Sequence, residues 1–238
     1  MTQFRSIFTA ILLFSLLAFQ SACTVEVELE DLKESEVVEI IEASLQEFAG
    51  GLTSNIQDIA EEITEAISSG ALCDTAYTQS VEENYQRGQI QSNYSTEMTY
   101  EMSCNELNKP ASASFSSSTE YSYSTLRLSA DDEANFEGNI SGLLLTDPNL
   151  ALEGNYASSG NQELNFNTSR SLGSTFNANL TNFQVDKSSF DILSGTATFT
   201  FTGTLQDTEF TYSGSITFNS DGTAKLDLNG NTYSLDLN

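Results

Sequence analysis

Apolar residues repeat with two different periods in the two parts of this chain. Between Val37 and Ile67 they are spaced three or four residues apart, which is the period of a helix with one buried face. From Ala76 onward they alternate with polar residues, which is the period of a strand with one buried face. The pattern therefore predicts a helical segment followed by a long sheet.

The helical segment is interrupted at Gly50-Gly51. Ser54 and Gln57 have the spacing of a capping box, in which two side chains bond to free backbone N–H groups at the start of a helix. Gly70 lies just past the last apolar position, where a left-handed residue commonly ends a helix. We therefore expect two helices of about 15 residues each.

Strand signals are clearest in the C-terminal third. The runs 196–205 and 209–218 alternate strictly, and Asn229-Gly230 separates two short alternating runs as the turn of a hairpin does. In the run 176–185 the apolar positions change from even to odd, which predicts a bulge near Thr181-Asn182. The other predicted strands are 89–104, 136–145, 150–156 and 163–168, with turns at 147–149 and 158–161.

The alternating runs predict one core face. Phe201 is typical of the apolar positions, whereas Thr200 belongs to the polar face. We expect the apolar set to face the helical stripe, because no other large apolar surfaces are left to match. The set is Phe199, Phe201, Phe210, Tyr212, Ile216 and Phe218 on the strands, and Ile56, Ile59 and Ile63 on the second helix.

The connections between these strands are too short to carry helical crossovers, so the sheet is predicted to be antiparallel and mostly a meander. Several glycines fall on its apolar side, where a missing side chain permits sharp bending. The predicted fold class is α+β, mainly β: a curled antiparallel meander or barrel, with one or two N-terminal helices packed on or in its concave face.

The N-terminus has the pattern of an export signal. Arg5 precedes an apolar run from Ile7 to Phe19, and Gln20-Ser21-Ala22-Cys23 follows it. Small residues before a Cys at this place resemble the lipobox of bacterial lipoproteins, although the third residue before the Cys is usually aliphatic and here is Gln. The resemblance implies a signal peptide over residues 1–22 and lipidation of Cys23. The alternative is an ordinary secretory signal cut at the same small residues.

The residue after the Cys is Thr24. In the enterobacterial sorting scheme Asp there would imply inner-membrane retention, so the resemblance points to an outer-membrane lipoprotein. We interpret residues 23–36, in which Val and Leu alternate with Glu, as an acidic tether to the lipid anchor, with a first strand as the alternative. Residues 37–238 are then one domain.

The chain contains three cysteines. If Cys23 carries lipid, Cys73 and Cys104 remain as an even pair in an oxidising compartment. We expect them to form a disulfide that joins the end of the helical segment to the sheet.

Composition excludes several functions. The chain has 34 acidic and 8 basic residues, a net charge of −26, which repels nucleic acid. It has no His, the usual general base and metal ligand, and no Trp to form a platform for sugars. We therefore predict no enzymatic activity and name no catalytic residue, metal site or cofactor. Two acidic stretches, 130–133 and 219–222, offer oxygen ligands for Ca²⁺, but neither completes a twelve-residue calcium loop.

These patterns lead to two functional hypotheses. The first is a non-enzymatic cell-envelope lipoprotein, held at the membrane by its lipid anchor, whose domain binds a protein partner or an apolar ligand such as lipid. In architecture alone it is similar to periplasmic lipoprotein carriers. The second is a surface-exposed structural or adhesive lipoprotein with a fully packed core. An apolar cavity of ~300 Å³ or more would favour the first hypothesis.

Overall fold

The computed structural model describes residues 31–165 and 169–237. The predicted signal peptide, residues 1–22, and Cys23 lie outside the described residues. Helix α1 spans Glu34–Leu45, a 3-10 helix spans Glu47–Ala49 and helix α2 spans Leu52–Ser68. Ten strands follow: β1 (Ala76–Arg87), β2 (Ile90–Cys104), β3 (Pro110–Ser124), β4 (Leu128–Ser141), β5 (Asn149–Asn165), β6 (Ser169–Asp186), β7 (Ile192–Leu205), β8 (Thr208–Asn219), β9 (Thr223–Leu228) and β10 (Asn231–Asp236).

Helix α1 begins three residues before the predicted Val37. Two hydrogen bonds define its start. The Lys33 backbone N–H donates to Glu36 Oε2 at 3.0 Å, and the Glu36 N–H donates to the Lys33 carbonyl at 2.9 Å. Leu32 is also buried, with 8% of its surface exposed. The predicted tether over residues 23–36 therefore extends too far, because residues 32–36 belong to the folded domain.

The predicted break at Gly50-Gly51 is present, but the predicted capping box is wrong. Gly50 is left-handed, and Gly51 is the N-cap of α2, so the helix starts at Leu52. Ser54 consequently lies inside the first turn, where its hydroxyl donates to Asp58 Oδ2 at 3.4 Å. The Asn55 side chain instead donates to the Gly50 and Gly51 carbonyls, at 3.1 and 3.0 Å.

The predicted end of α2 at Gly70 is confirmed. Gly70 has φ of +88°, and its N–H donates to the Ile67 carbonyl at 3.0 Å. The next N–H, of Ala71, donates to the Ala66 carbonyl at 2.9 Å, which completes a Schellman motif. In the described part of the chain, no helix has both the length and the apolar composition that a membrane crossing requires.

The ten strands form one antiparallel sheet in which every strand pairs with the next one in sequence. The sheet is an open meander, so the predicted fold class is confirmed in its open form. Two local predictions are confirmed as well. Leu226 pairs with Tyr233 across the Asn229-Gly230 turn, and the register of β6 against β7 shifts between Thr181 and Gln184.

One predicted turn is wrong, because residues 158–161 continue β5 without interruption. Ser158 is buried and pairs with Phe176, and Gly160 pairs with Asp132. The small residues of this stretch therefore leave room for larger neighbours on the core face. They do not mark a reversal of the chain, and the predicted strand 150–156 forms one strand with residues 163–165. The rest of the predicted strand 163–168 lies outside the described residues.

The core lies on the concave face of the sheet, beneath the helices. A row of rings crosses five strands on this face, with centroids 4.9 to 6.4 Å apart. The predicted core residues of β7 and β8 share one cluster with Ile56, Ile59 and Ile63 of α2; Phe210 and Tyr212 are half-buried and the others are buried. The rings of the row are Phe115, Phe136, Tyr156, Phe176 and Phe199.

The N-terminal helices also cover the edge at β10. The Glu47 N–H donates to the Leu237 carbonyl at 3.2 Å, and the Gln46 side chain donates to the Asp236 carbonyl at 3.2 Å. The Asp236 N–H in turn donates to Glu42 Oε1 at 2.8 Å. These bonds satisfy backbone groups that would otherwise form an open sheet edge.

Candidate functional site

The two faces of the sheet differ in chemistry. Every aromatic ring of β1–β5 lies on the inner face, whereas the outer face carries mainly Ser, Thr, Asn, Gln and acidic residues. Three adjoining depressions of about 650, 530 and 570 Å³ run along the outer face of these strands. We call them together the outer groove. Its walls offer hydrogen-bonding groups at almost every position.

Carboxylates dominate the outer groove. Glu82, Glu120 and Glu133 lie in one row that crosses the first four strands, with Ser95 between the first two. Glu120 and Glu133 are directly opposite each other, and like charges at such positions destabilise an antiparallel pair. A bound cation would relieve this repulsion. Six carboxylates of the outer face line the groove and are exposed: Glu82, Glu97, Glu120, Asp131, Glu133 and Glu137. Glu83 and Asp132, at inner-face positions, border it as well.

Basic groups do not balance this charge. Within β1–β5, Arg87 is the only basic residue, and its pairing with Ile90 places it on the inner face at the end of β1. The outer groove therefore presents one sign of charge. Such a surface attracts cations from a distance and repels anions.

A second polar group of residues lies on the inner face, in the middle of the sheet. Asp132 accepts hydrogen bonds from Tyr121 Oη at 3.2 Å and from Gln162 Nε2 at 2.7 Å. The Ser174 hydroxyl donates to Gln162 Oε1 at 2.8 Å, so the network spans β3 to β6. Burial raises the pKa of the Asp132 carboxyl to about 6, although the bonds from Gln162 and Tyr121 favour its charged form.

Asp132 is not among the functional residues that the sequence predicts. The sequence indicates residues 130–133 only as possible oxygen ligands for Ca²⁺, but they lie within β4. The available signal was the alternation itself: Asp132 shares the parity of Ala130, Ala134 and Phe136, which are buried. Gly160, opposite Asp132, provides the space, because a Cβ there would lie 1.9 Å from Asp132 Oδ1. Asp131 and Glu133 point the other way, into the outer groove.

Three further ionisable groups lie where the helices meet the sheet: a buried ion pair and a half-buried carboxyl. Arg170 of β6 and Glu36 of α1 form an ion pair, with 7% and 5% of their side chains exposed. Asp58 of α2 is half-buried, and the loss of solvent around its carboxyl raises the pKa of that group to about 7. The ion pair fixes the start of α1 on the sheet, since a buried charge is costly without its partner.

A mixed groove of about 570 Å³ separates α1 from the β3–β4 hairpin. Its apolar lining includes Val38, Ile90 and the exposed Leu126. An ion pair between Arg127 and Glu39, at 3.2 Å, crosses it. This groove is more open and more polar than the enclosed apolar cavity expected for an apolar ligand.

The predicted cysteine pair is close in space. The Cys73 and Cys104 sulfur atoms are within bonding distance, and their Cα atoms are 5.7 Å apart, a separation that a disulfide spans. The pair joins the segment after α2 to the end of β2. In the stretch 219–222, which the sequence favours as a turn, Asp221 Oδ1 accepts the N–H and hydroxyl of Thr223. Among the described residues, no group of three or more acidic, His or Cys side chains is arranged to hold a metal ion.

Comparison with known proteins finds no matching family model, curated protein or solved structure.

Proposed function

We propose that this protein is a non-enzymatic, lipid-anchored protein of the bacterial outer membrane that binds a basic protein segment in the outer groove. The observation that supports this proposal is the groove itself, which is lined by eight acidic residues, six of them exposed on the outer face, and by no basic residue. The lipid anchor is proposed from the Cys23 sequence. The binding surface is proposed from the geometry of β1–β5.

The chemistry of the groove favours a cationic polypeptide over other ligands. Its carboxylates repel the phosphates of nucleic acid and lipopolysaccharide. Neutral sugars commonly stack on aromatic rings, but all rings of β1–β5 lie on the inner face. A segment rich in Lys or Arg matches both the charge and the hydrogen-bonding groups, and the linked depressions accommodate an extended chain.

The interior supports partner binding more than transport of an apolar ligand. Ile40, Leu45 and Leu52 of the helical region are at most 2% exposed, and the aromatic row fills the space below. This arrangement supports the packed-core alternative, in which the outer face carries the function. Removing Arg5 with the signal peptide makes the net charge −27, which increases long-range attraction of a cationic partner.

Charge-neutralising variants of the full chain test the proposal. The probe is a lysine-rich peptide of ten residues, and its affinity is measured by isothermal titration calorimetry at two salt concentrations. Exposed ion pairs contribute roughly 0.2–1 kcal/mol each, so the double variant Glu120→Gln/Glu133→Gln should weaken binding by about three- to tenfold. Added salt should weaken binding to the natural chain more than to the variant.

The matched control is Glu101→Gln/Glu153→Gln. It removes the same charge from the same face, but neither residue lines the outer groove. It should retain most of the affinity. An equal loss in both double variants would mean that the peptide responds only to net charge, and no binding to the natural chain would reject a cationic partner.

A further inference from the structure

A small pocket lies at the rim of the sheet, where the start of α2 meets the β6–β7 and β8–β9 connections. Its volume is about 280 Å³, and it shares no residue with the outer groove. We call it the rim pocket. Its lining includes Glu47, Thr53, Asp191, Ile192, Phe218 and Leu237.

The rim pocket is amphipathic. Ile192, Phe218 and Leu237 are 8%, 3% and 3% exposed, so they supply a buried apolar wall. The carboxylates of Glu47 and Asp191 belong to exposed residues of the same pocket. A ligand held here would contact hydrocarbon with one end and negative charge with the other.

A buried hydroxyl in the wall has no partner. Thr53 lines the rim pocket and is 6% exposed, and its Oγ1 makes no hydrogen bond to any described residue. A buried hydroxyl without a partner is destabilising, because it has lost its bonds to water. A ligand with N–H donors would supply the missing bond.

The negative charge of the rim pocket favours a cationic ligand. Three of its lining residues are acidic and none is basic. Two lysines lie within four residues of the lining. Lys225 Nζ pairs with Asp227 Oδ2 at 2.9 Å, and Lys187 Nζ donates to the Leu144 and Asp147 carbonyls at 2.6 and 3.0 Å. The N-terminus of α2 contributes a partial positive charge of roughly one half, which does not offset three carboxylates.

The geometry points to an alkylammonium ion as the ligand of the rim pocket. The aliphatic part would lie against Ile192, Phe218 and Leu237, and the ammonium would donate to the acidic side chains. Thr53 Oγ1 would accept a further bond once its side chain rotates toward the pocket. The volume of about 280 Å³ suits a short aliphatic amine and is larger than a bare metal ion needs. Such a group belongs either to a small free amine or to the lysine side chain of another protein.

Titration of the isotope-labelled full chain by NMR tests this inference. The probes are 1,5-diaminopentane, a capped Gly-Lys-Gly peptide, and n-butanol as a neutral control, all at pH 7 and low salt. Binding should shift the amide signals of residues 219–223, with n-butanol at least about tenfold weaker because it lacks the charge. Shifts with both amines indicate that a lysine side chain is accepted, and shifts with the diamine alone indicate a free amine.

Two variants distinguish a binding pocket from a structural cleft. Glu47→Gln/Asp191→Asn should weaken amine binding by about tenfold, whereas Asp207→Asn/Glu209→Gln, which removes the same charge outside the pocket, should not. Thr53→Val should weaken binding while leaving thermal stability unchanged or higher, because it removes an unpaired hydroxyl. Absence of shifts with both amines, equal binding of n-butanol, or equal losses in both double variants would overturn the inference.

Discussion

Replacing Asp132 by Asn should stabilise the protein at neutral pH and change its stability little in mild acid. Asp132 is held on the inner face by Tyr121 and Gln162, and burial raises the pKa of its carboxyl to about 6 from an ordinary value of 3.8. The folded state therefore binds this proton more tightly than the unfolded chain does. Stability falls as pH rises between these two values and is constant above them.

The magnitude follows from the two pKa values. One unit of difference corresponds to about 1.4 kcal/mol. Between pH 4.5 and pH 7.5, ionisation of Asp132 should reduce the free energy of unfolding by about 2 kcal/mol relative to a neutral side chain. Asn resembles the protonated carboxyl, and its oxygen still accepts from Gln162. The variant should thus lose about 2 kcal/mol less than the natural chain over this range.

Urea titrations at several pH values measure this difference. The chain has no Trp, so far-ultraviolet circular dichroism is the suitable signal. The matched control is Asp131→Asn, because Asp131 is the preceding residue of β4 and is exposed on the outer face. The pH profile of this control should run parallel to that of the natural chain. In both, ionisation of the half-buried Asp58 also lowers the free energy of unfolding as pH rises. If the Asp132 and Asp131 variants had the same profile, the inward position of Asp132 would be refuted.

Three further predictions address the core, the cysteines and the anchor. Phe201→Ala should lower the free energy of unfolding by roughly 3 to 5 kcal/mol, because Phe201 is buried. Thr200→Ala should lower it by about half a kcal/mol in the same titration, because Thr200 is exposed. A larger loss for Thr200→Ala would mean that Thr200, and not Phe201, faces the core. Cys73 and Cys104 should resist alkylation in denatured, unreduced protein, and reduction should cost about 3 to 4 kcal/mol for a loop of 31 residues. Alkylation of both would exclude the bridge. Cys23→Ser should release the protein from membranes or leave an uncleaved precursor, and unchanged lipid attachment would contradict the proposed anchor.

Elements whose signals involve neighbouring residues are predicted correctly from the sequence. The change of period at Ala76 places the start of β1, and Gly70 marks the end of α2, because both depend on residues a few positions apart. The parity change near Asn182 likewise predicts the bulge, since side chains alternate between faces at every step of a strand. The same rule identified which side chains of β7 and β8 face the core.

Contacts between residues far apart in the chain depend on the complete fold. Glu82, Glu120 and Glu133 lie on three strands, and their common row depends on the register of each pairing, which no local pattern specifies. The rim pocket likewise combines the start of α2 with two connections that follow it by more than 130 residues, and no local pattern specifies that contact. Asp132 lies between these cases. Its inward direction follows from alternation, but the packing of Gly160, Tyr121 and Gln162 around it decides that a carboxyl can be buried there.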